Sequence, residues 1–216
     1  MAHRLFDEQG FDAVTIADIA RSSDVAVQTV FNHFATKEEL FFDGRGPRID
    51  APSEAIRSRC PGVPPLTALR DFLVGLAKTH LSALADQQRR RYMLTLLASD
   101  SLLAYERELL IEAETRLAAT LTEVWSEGDP PGLPVPADPA TSAALVAAMW
   151  CSAVRVLIHS NRQRLASGAS PEEIASTVES FTADLLTQLE LNASATGWPS
   201  TSYVFPSRGP VEAGRV

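Results

Sequence analysis

The chain has 216 residues, with 19 Lys and Arg against 27 Asp and Glu, a formal charge of −8 and a pI near 5.0. Apolar residues make up 45% and charged residues 21%, the composition of an ordinary globular protein rather than a disordered one. No stretch approaches 18 uncharged apolar residues and no basic, apolar leader opens the chain, so neither a spanning helix nor a secretory signal is expected and the cytoplasm is the expected location. The acidic balance points, at first sight, away from nucleic acid. Cys60 and Cys151 form no CxxC pair, and His3, His33, His80 and His159 fall into no metal-ligand spacing, so two free thiols, no metal and no cofactor are expected.

The first 43 residues read as a run of short helices. Leu5 and Phe6 close a first helix, and Gly10 suits the left-handed position after it. Thr15 caps a second helix, with Asp18 three residues on completing a capping box, and Ile16, Ile19 and Ala20 give that helix an inner face. Ser22-Ser23-Asp24 makes a polar turn. A third helix, from about Val27 to Phe34, buries Val30 and Phe34. Thr36 caps a fourth, with Glu39 closing its box before Leu40, Phe41 and Phe42.

Residues 44–65, rich in proline and glycine, read as a connector with a short helical segment near Ser53–Arg59. Residues 66–191 are helical in pattern. Leu66, Leu69, Phe72, Leu73, Leu76, Ala77, His80, Leu81 and Leu84 recur at spacings of three and four, and Tyr92–Ala98 continues the apolar pattern. A long amphipathic helix runs through Leu102, Leu109, Ala113, Leu117, Leu121 and Trp125 until the Gly- and Pro-rich segment 128–134 stops it. Residues 139–166 are apolar nearly all round and are expected to be buried centrally, with Gly168 as C-cap. Ser170-Pro171-Glu172-Glu173 starts a last helix, and residues 192–216 read as a disordered tail. Strand periodicity, nucleotide-binding loops and nucleophile elbows are absent from the pattern, so the fold class is all-α: an N-terminal helix-turn-helix unit followed by a larger helical bundle.

Two short helices joined by a tight turn can place the second in the major groove, where base edges carry a unique code. The outer residues of the third helix are Val27, Gln28, Asn32 and His33, with Thr29 at the edge. Gln and Asn bond adenine bidentately, and Val and Thr methyl groups touch the thymine methyl. Thr15 and Lys37 flank the helix and suit phosphate.

Leu5-Phe6, Gly10-Phe11, Val14-Thr15, Ile19-Ala20, Val25, Thr29-Val30-Phe31, His33-Phe34 and Thr36-Lys37-Glu38-Glu39-Leu40 resemble, over about 40 residues, the TetR (tetracycline repressor) family of bacterial transcription regulators. The resemblance implies a DNA-binding unit followed by a domain that dimerises and binds a small-molecule effector, whose arrival releases the operator. It implies phosphate-backbone roles for Thr15, Thr29, His33 and Lys37, and base reading by Val27, Gln28 and Asn32. Phe31 stands where a tyrosine with a phosphate-bonding hydroxyl is usual, and Ala26 where a helix-capping Ser is usual. The family's first helix normally begins further upstream with basic residues, so either the start lies upstream of Met1, or the first helix here is truncated, or this member binds weakly; weak operator binding by this chain, and stronger binding after an N-terminal extension, are expected. Charge sharpens that expectation: residues 1–43 hold three basic residues, Arg4, Arg21 and Lys37, against eight acidic ones, Asp7, Glu8, Asp12, Asp18, Asp24, Glu38, Glu39 and Asp43, a net of −5.

In the larger domain, Phe72, Leu76, Met93, Leu94, Leu97, Met149 and Trp150 are candidates to line an apolar effector pocket, and serve equally well as core. Arg155 and His159, four apart on the most apolar helix, suit a polar group of the effector, a dimer contact or a structural pair. Helices near 139–166 and 171–191 have faces suited to packing against a twin, and a homodimer on a palindromic operator follows from two-fold symmetry. No nucleophile–base spacing or ligand cluster suggests an enzyme. The function expected is therefore a ligand-responsive repressor acting on double-stranded DNA, with no membrane partner. The alternative is an interaction module of the same fold that has lost efficient DNA binding.

Overall fold

The computed structural model describes residues 1–83, 86–128 and 135–168, together with 170 and 184. Among these residues the fold is all-helical: α1 (Ala2–Gln9), α2 (Ile16–Ser22), α3 (Val27–His33), α4 (Lys37–Phe42), α5 (Ala51–Arg57), α6 (Pro65–Ala83), α7 (Gln87–Leu97), α8 (Asp100–Ser126) and α9 (Pro139–Ala166). The stop signal at 129–134, the last helix at 171–191 and the tail at 192–216 lie outside the described residues, apart from Asp184, as do the side chains of Ala77, His80 and Leu81.

The short N-terminal helices are set by local chemistry. Gly10 follows α1 at φ 82, a conformation that glycine adopts without strain, and its N–H closes on the Phe6 carbonyl. Thr15 and Asp18 form the capping box of α2. At α4 the pattern shifts by one residue: the Thr36 hydroxyl accepts from the Glu39 N–H, but the Glu39 carboxylate reaches back to the Ala35 N–H at 2.6 Å rather than to Thr36 itself. Phe34 is only half-buried and serves as the C-cap of α3.

Helices of six to eight residues cannot stand alone, and an aromatic core binds these together. Phe41, fully buried, meets Phe6 at 5.7 Å, Phe11 at 5.6 Å and Phe42 at 5.2 Å between ring centroids. The same ring stacks on Tyr92 of α7 at 5.0 Å, and Phe42 stacks on Tyr105 of α8 at 5.5 Å. One apolar cluster therefore joins α1–α4 to α7, α8 and Leu157 of α9. Burial pushes the Tyr92 hydroxyl up to about 12. A second cluster lies further along α8 and α9 and is aliphatic and alanine-rich, built on Leu69, Leu73, Leu117, Leu121, Ala143, Ala147 and Trp150.

Three expectations change. The connector is more than a linker: within 44–65, α5 starts two residues earlier than the sequence suggests, and its Ile56 is fully buried against α6 and α8 side chains. Residues 139–166 are not buried all round. Ala143, Ala147, Trp150, Val154 and Leu157 face the core, while Leu145 is 52% and Val156 44% exposed. Third, Pro139–Arg164 is after all long and apolar enough, by length and composition, to cross a membrane. Its charges, Arg155, Arg162 and Arg164, cluster towards the C-terminal end and leave residues 139–154 uncharged, with Ser, Thr and Pro interrupting the apolar run; this helix packs on α8 as a core helix does.

Candidate nucleic-acid interface

The turn between α2 and α3 is tight. Val25 N–H closes on the Ala20 carbonyl at 3.0 Å, and Asp24 takes φ 54, a left-handed conformation that Asp tolerates better than most residues. Ala26 is the N-cap of α3 and offers no side-chain acceptor. Of the seven residues of α3, Val30 alone is buried; Val27, Gln28, Thr29, Phe31, Asn32 and His33 are all exposed. Two rows run along the helix, since residues four apart share a face. Val27 and Phe31, 41% and 47% exposed, form an apolar row. Gln28 and Asn32 form an amide row and are bonded to each other, Nε2 to Oδ1, at 3.1 Å.

The residues matched to phosphate contacts are more engaged than the sequence suggests. The Thr15 hydroxyl donates to Asp18 Oδ2 at 2.6 Å and accepts from the Asp18 N–H at 3.2 Å. The Thr15 hydroxyl and backbone N–H hold the Asp18 carboxyl below its ordinary range. Lys37 turns inward. Its ammonium donates to the carbonyls of Phe11 at 2.9 Å and Val14 at 3.0 Å and lies 4.2 Å from the centre of the Phe11 ring. Arg21 is largely exposed but paired with Asp18 at 3.0 Å. The surface around α3 thus presents hydrogen-bonding and apolar groups with little free positive charge.

The residues considered for an effector pocket do not converge. Phe72, Leu76 and Trp150 belong to the aliphatic cluster, where the Phe72 and Trp150 rings lie 6.1 Å apart. Met93 lies in the aromatic cluster beneath the N-terminal helices. Leu97 and Met149 are half-buried, and Leu94 is 49% exposed, pointing away from any core. Arg155 and His159 are exposed on the same side of α9 as Leu145 and Val156, so they form no buried pair.

The buried ionic pair lies elsewhere. Arg162 of α9 clamps Glu106 of α8 in a two-pronged bond, Nη1 to Oε2 at 2.6 Å and Nη2 to Oε1 at 2.8 Å, with both side chains about 10% exposed. The signal was present: Glu106 occupies the inward spacing between Leu102 and Ala113, a core position carrying a charge. Nearby, Ser99 donates to Asp12 at 2.9 Å, and Arg45 faces Asp7 at 3.7 Å, so polar contacts as well as rings tie the N-terminal helices to the bundle.

Residues 1–43 match the family of bacterial regulatory proteins, tetR family. The N-terminal unit is accordingly a tetR-family helix-turn-helix domain, and the remainder follows it in a helical fold shared with a solved structure. The chain is similar in structure to NalD of Pseudomonas aeruginosa, the secondary repressor of the MexAB-OprM multidrug efflux pump, at 18% identity over 85% of this chain and 91% of that one, with a TM-score of 0.50. Salmonella enterica GusR aligns over 91% of this chain and 90% of its own at 20% identity and a TM-score of 0.45. Bacillus subtilis FadR, solved in complex with stearoyl-CoA, aligns over 85% and 93% at 19% identity and a TM-score of 0.41. No curated protein sequence matches the chain.

Proposed function

We propose that the protein is a cytoplasmic, ligand-responsive transcriptional regulator, most simply a repressor, that binds a palindromic operator as a homodimer and is released by a small-molecule effector. The observation that carries the reading is α3, which keeps one side chain inside and six outside on the second helix of a helix-turn-helix. Thr29 and His33 are assigned to the edges of the groove, with Thr15 and Lys37 behind them; for Lys37 the assigned role is to hold the α1–α2 loop rather than to meet phosphate directly. Dimerisation is supported by the uncovered face of α9, where Leu145 and Val156 lie beside Arg155 and His159, a mixed apolar and polar strip suited to a self-complementary contact. An effector site is placed around Phe72, Leu76 and Trp150, where α6 meets α9.

The test is an electrophoretic shift of the full chain on duplexes from around its own gene, over a salt series. Binding that weakens with salt and is reduced about tenfold on Asn32→Ala supports the reading. Absence of any salt-dependent binding overturns it in favour of a helix-turn-helix protein that acts through protein contacts, a reading the net −5 of residues 1–43 favours. A monomer by light scattering at micromolar concentration would remove the dimer from the proposal.

A further inference from the structure

The recognition helix carries a specific donor and acceptor pattern, and with it an expectation about sequence preference. Gln28 Nε2 bonds Asn32 Oδ1 at 3.1 Å, so the two amides are locked together one helical turn apart on an exposed face. That bond leaves the Gln28 oxygen free to accept and the Asn32 nitrogen free to donate. Turning both amides over exchanges the roles, but one acceptor and one donor still face outward. Adenine presents the complement in the major groove, an N7 acceptor beside an N6 donor. Guanine presents two acceptors, N7 and O6, and no donor on that edge, so it can accept from the free amide N–H groups but leaves the free amide oxygen of the pair without a partner. Helix α3 also carries no arginine or lysine, the side chains that most often read guanine. The adjacent row, Val27 and Phe31, has no hydrogen-bonding side chain, and its exposed apolar surface suits the methyl group of thymine.

We propose that Gln28 and Asn32, held to each other, read one adenine in each operator half-site through N7 and N6, with Val27 and Phe31 against thymine methyl groups of neighbouring A·T pairs. The inference rests on the DNA-binding reading above and names the sequence class it selects. The amide pair is a specificity element: it acts as a unit, and removing either member frees the other to turn and accept other bases.

The experiment selects duplexes from a randomised pool with the full-length protein, then repeats the selection with Gln28→Ala and Asn32→Ala, whose folding is checked by circular dichroism. The expected result is a palindrome with an invariant adenine in an A·T-rich half-site, and a preference at that position that falls by about tenfold in either variant. Replacing that adenine by 7-deazaadenine should weaken wild-type binding by a similar factor and leave the Asn32→Ala variant nearly unaffected. Replacing flanking thymines by deoxyuridine should weaken binding to the wild type more than to Val27→Ala. A guanine-dominated half-site, or a preference unchanged in both variants, overturns this proposal while leaving the DNA-binding reading intact. A pool in which no sequence is enriched overturns both.

Discussion

The two cores of the molecule are made differently. The one beneath α1–α4 is aromatic, with Phe6, Phe11, Phe41 and Phe42 meeting ring to ring, and it extends without a break into Tyr92, Leu96 and Leu102. The one between α8 and α9 is aliphatic and rich in alanine, and it is made by helices of 27 and 28 residues whose faces run side by side. Long helices obtain their stability from a continuous stripe. Helices of six to eight residues must borrow it, through caps and through large rings that each bury much area. The N-terminal unit is therefore not an independent body: part of its core belongs to α7 and α8, and a shift of those helices is felt at α4.

The sharpest way to break this comparison is to remove the buried charge pair on the aromatic side, where both charges act on Tyr92. Glu106→Ala leaves the Arg162 guanidinium buried without its partner and is expected to cost about 3–5 kcal/mol in urea unfolding. Replacing both residues by apolar ones of similar size should cost far less, and an equal cost would show that the pair itself is the stabiliser. Phe41→Ala is expected to cost about 3–5 kcal/mol. If the shared core holds, near-UV circular dichroism and far-UV helicity should still report one coincident transition; two separate transitions would mean the N-terminal unit melts alone.

Smaller effects test the local chemistry. Thr15→Ala removes the capping box of α2 and should cost about 0.5–2 kcal/mol, while Ala26→Ser should return part of that amount at α3 by supplying the missing acceptor. The smallest effect at neutral pH is that of Tyr92. Its hydroxyl stays protonated in the fold up to about 12 but ionises near 10.0 in the unfolded chain, so the native state binds the extra proton between those values. Its contribution to stability is complete below pH 10 and is lost as pH rises towards 12. The Tyr92→Phe variant should lack that part of the alkaline slope in the unfolding midpoint.

The parts legible in the sequence are those fixed by neighbours along the chain. Thr15 with Asp18, Gly10 after Phe6 and the exposed residues of α3 follow from spacing of three or four residues, which is information the chain carries locally. The target of Lys37 was not legible, because an ammonium on a four-carbon stem reaches carbonyls 23 and 26 residues away that spacing cannot predict. The scatter of Met93, Leu94 and Trp150 had the same cause: apolar residues advertise burial without saying in which core. The apolar circumference of α9 pointed to complete burial, because composition does not distinguish a side covered by the same chain from one left for something else.

The inward turn of Lys37 has a practical consequence for any salt titration. Its bonds to the Phe11 and Val14 carbonyls are part-buried, and ions in solution screen such contacts far less than exposed charges. The geometry of the reading head is thus anchored by an interaction that added salt leaves in place. A fall in DNA affinity with ionic strength then reports the interface with phosphate more than a loosening of this loop, and its slope counts displaced counterions.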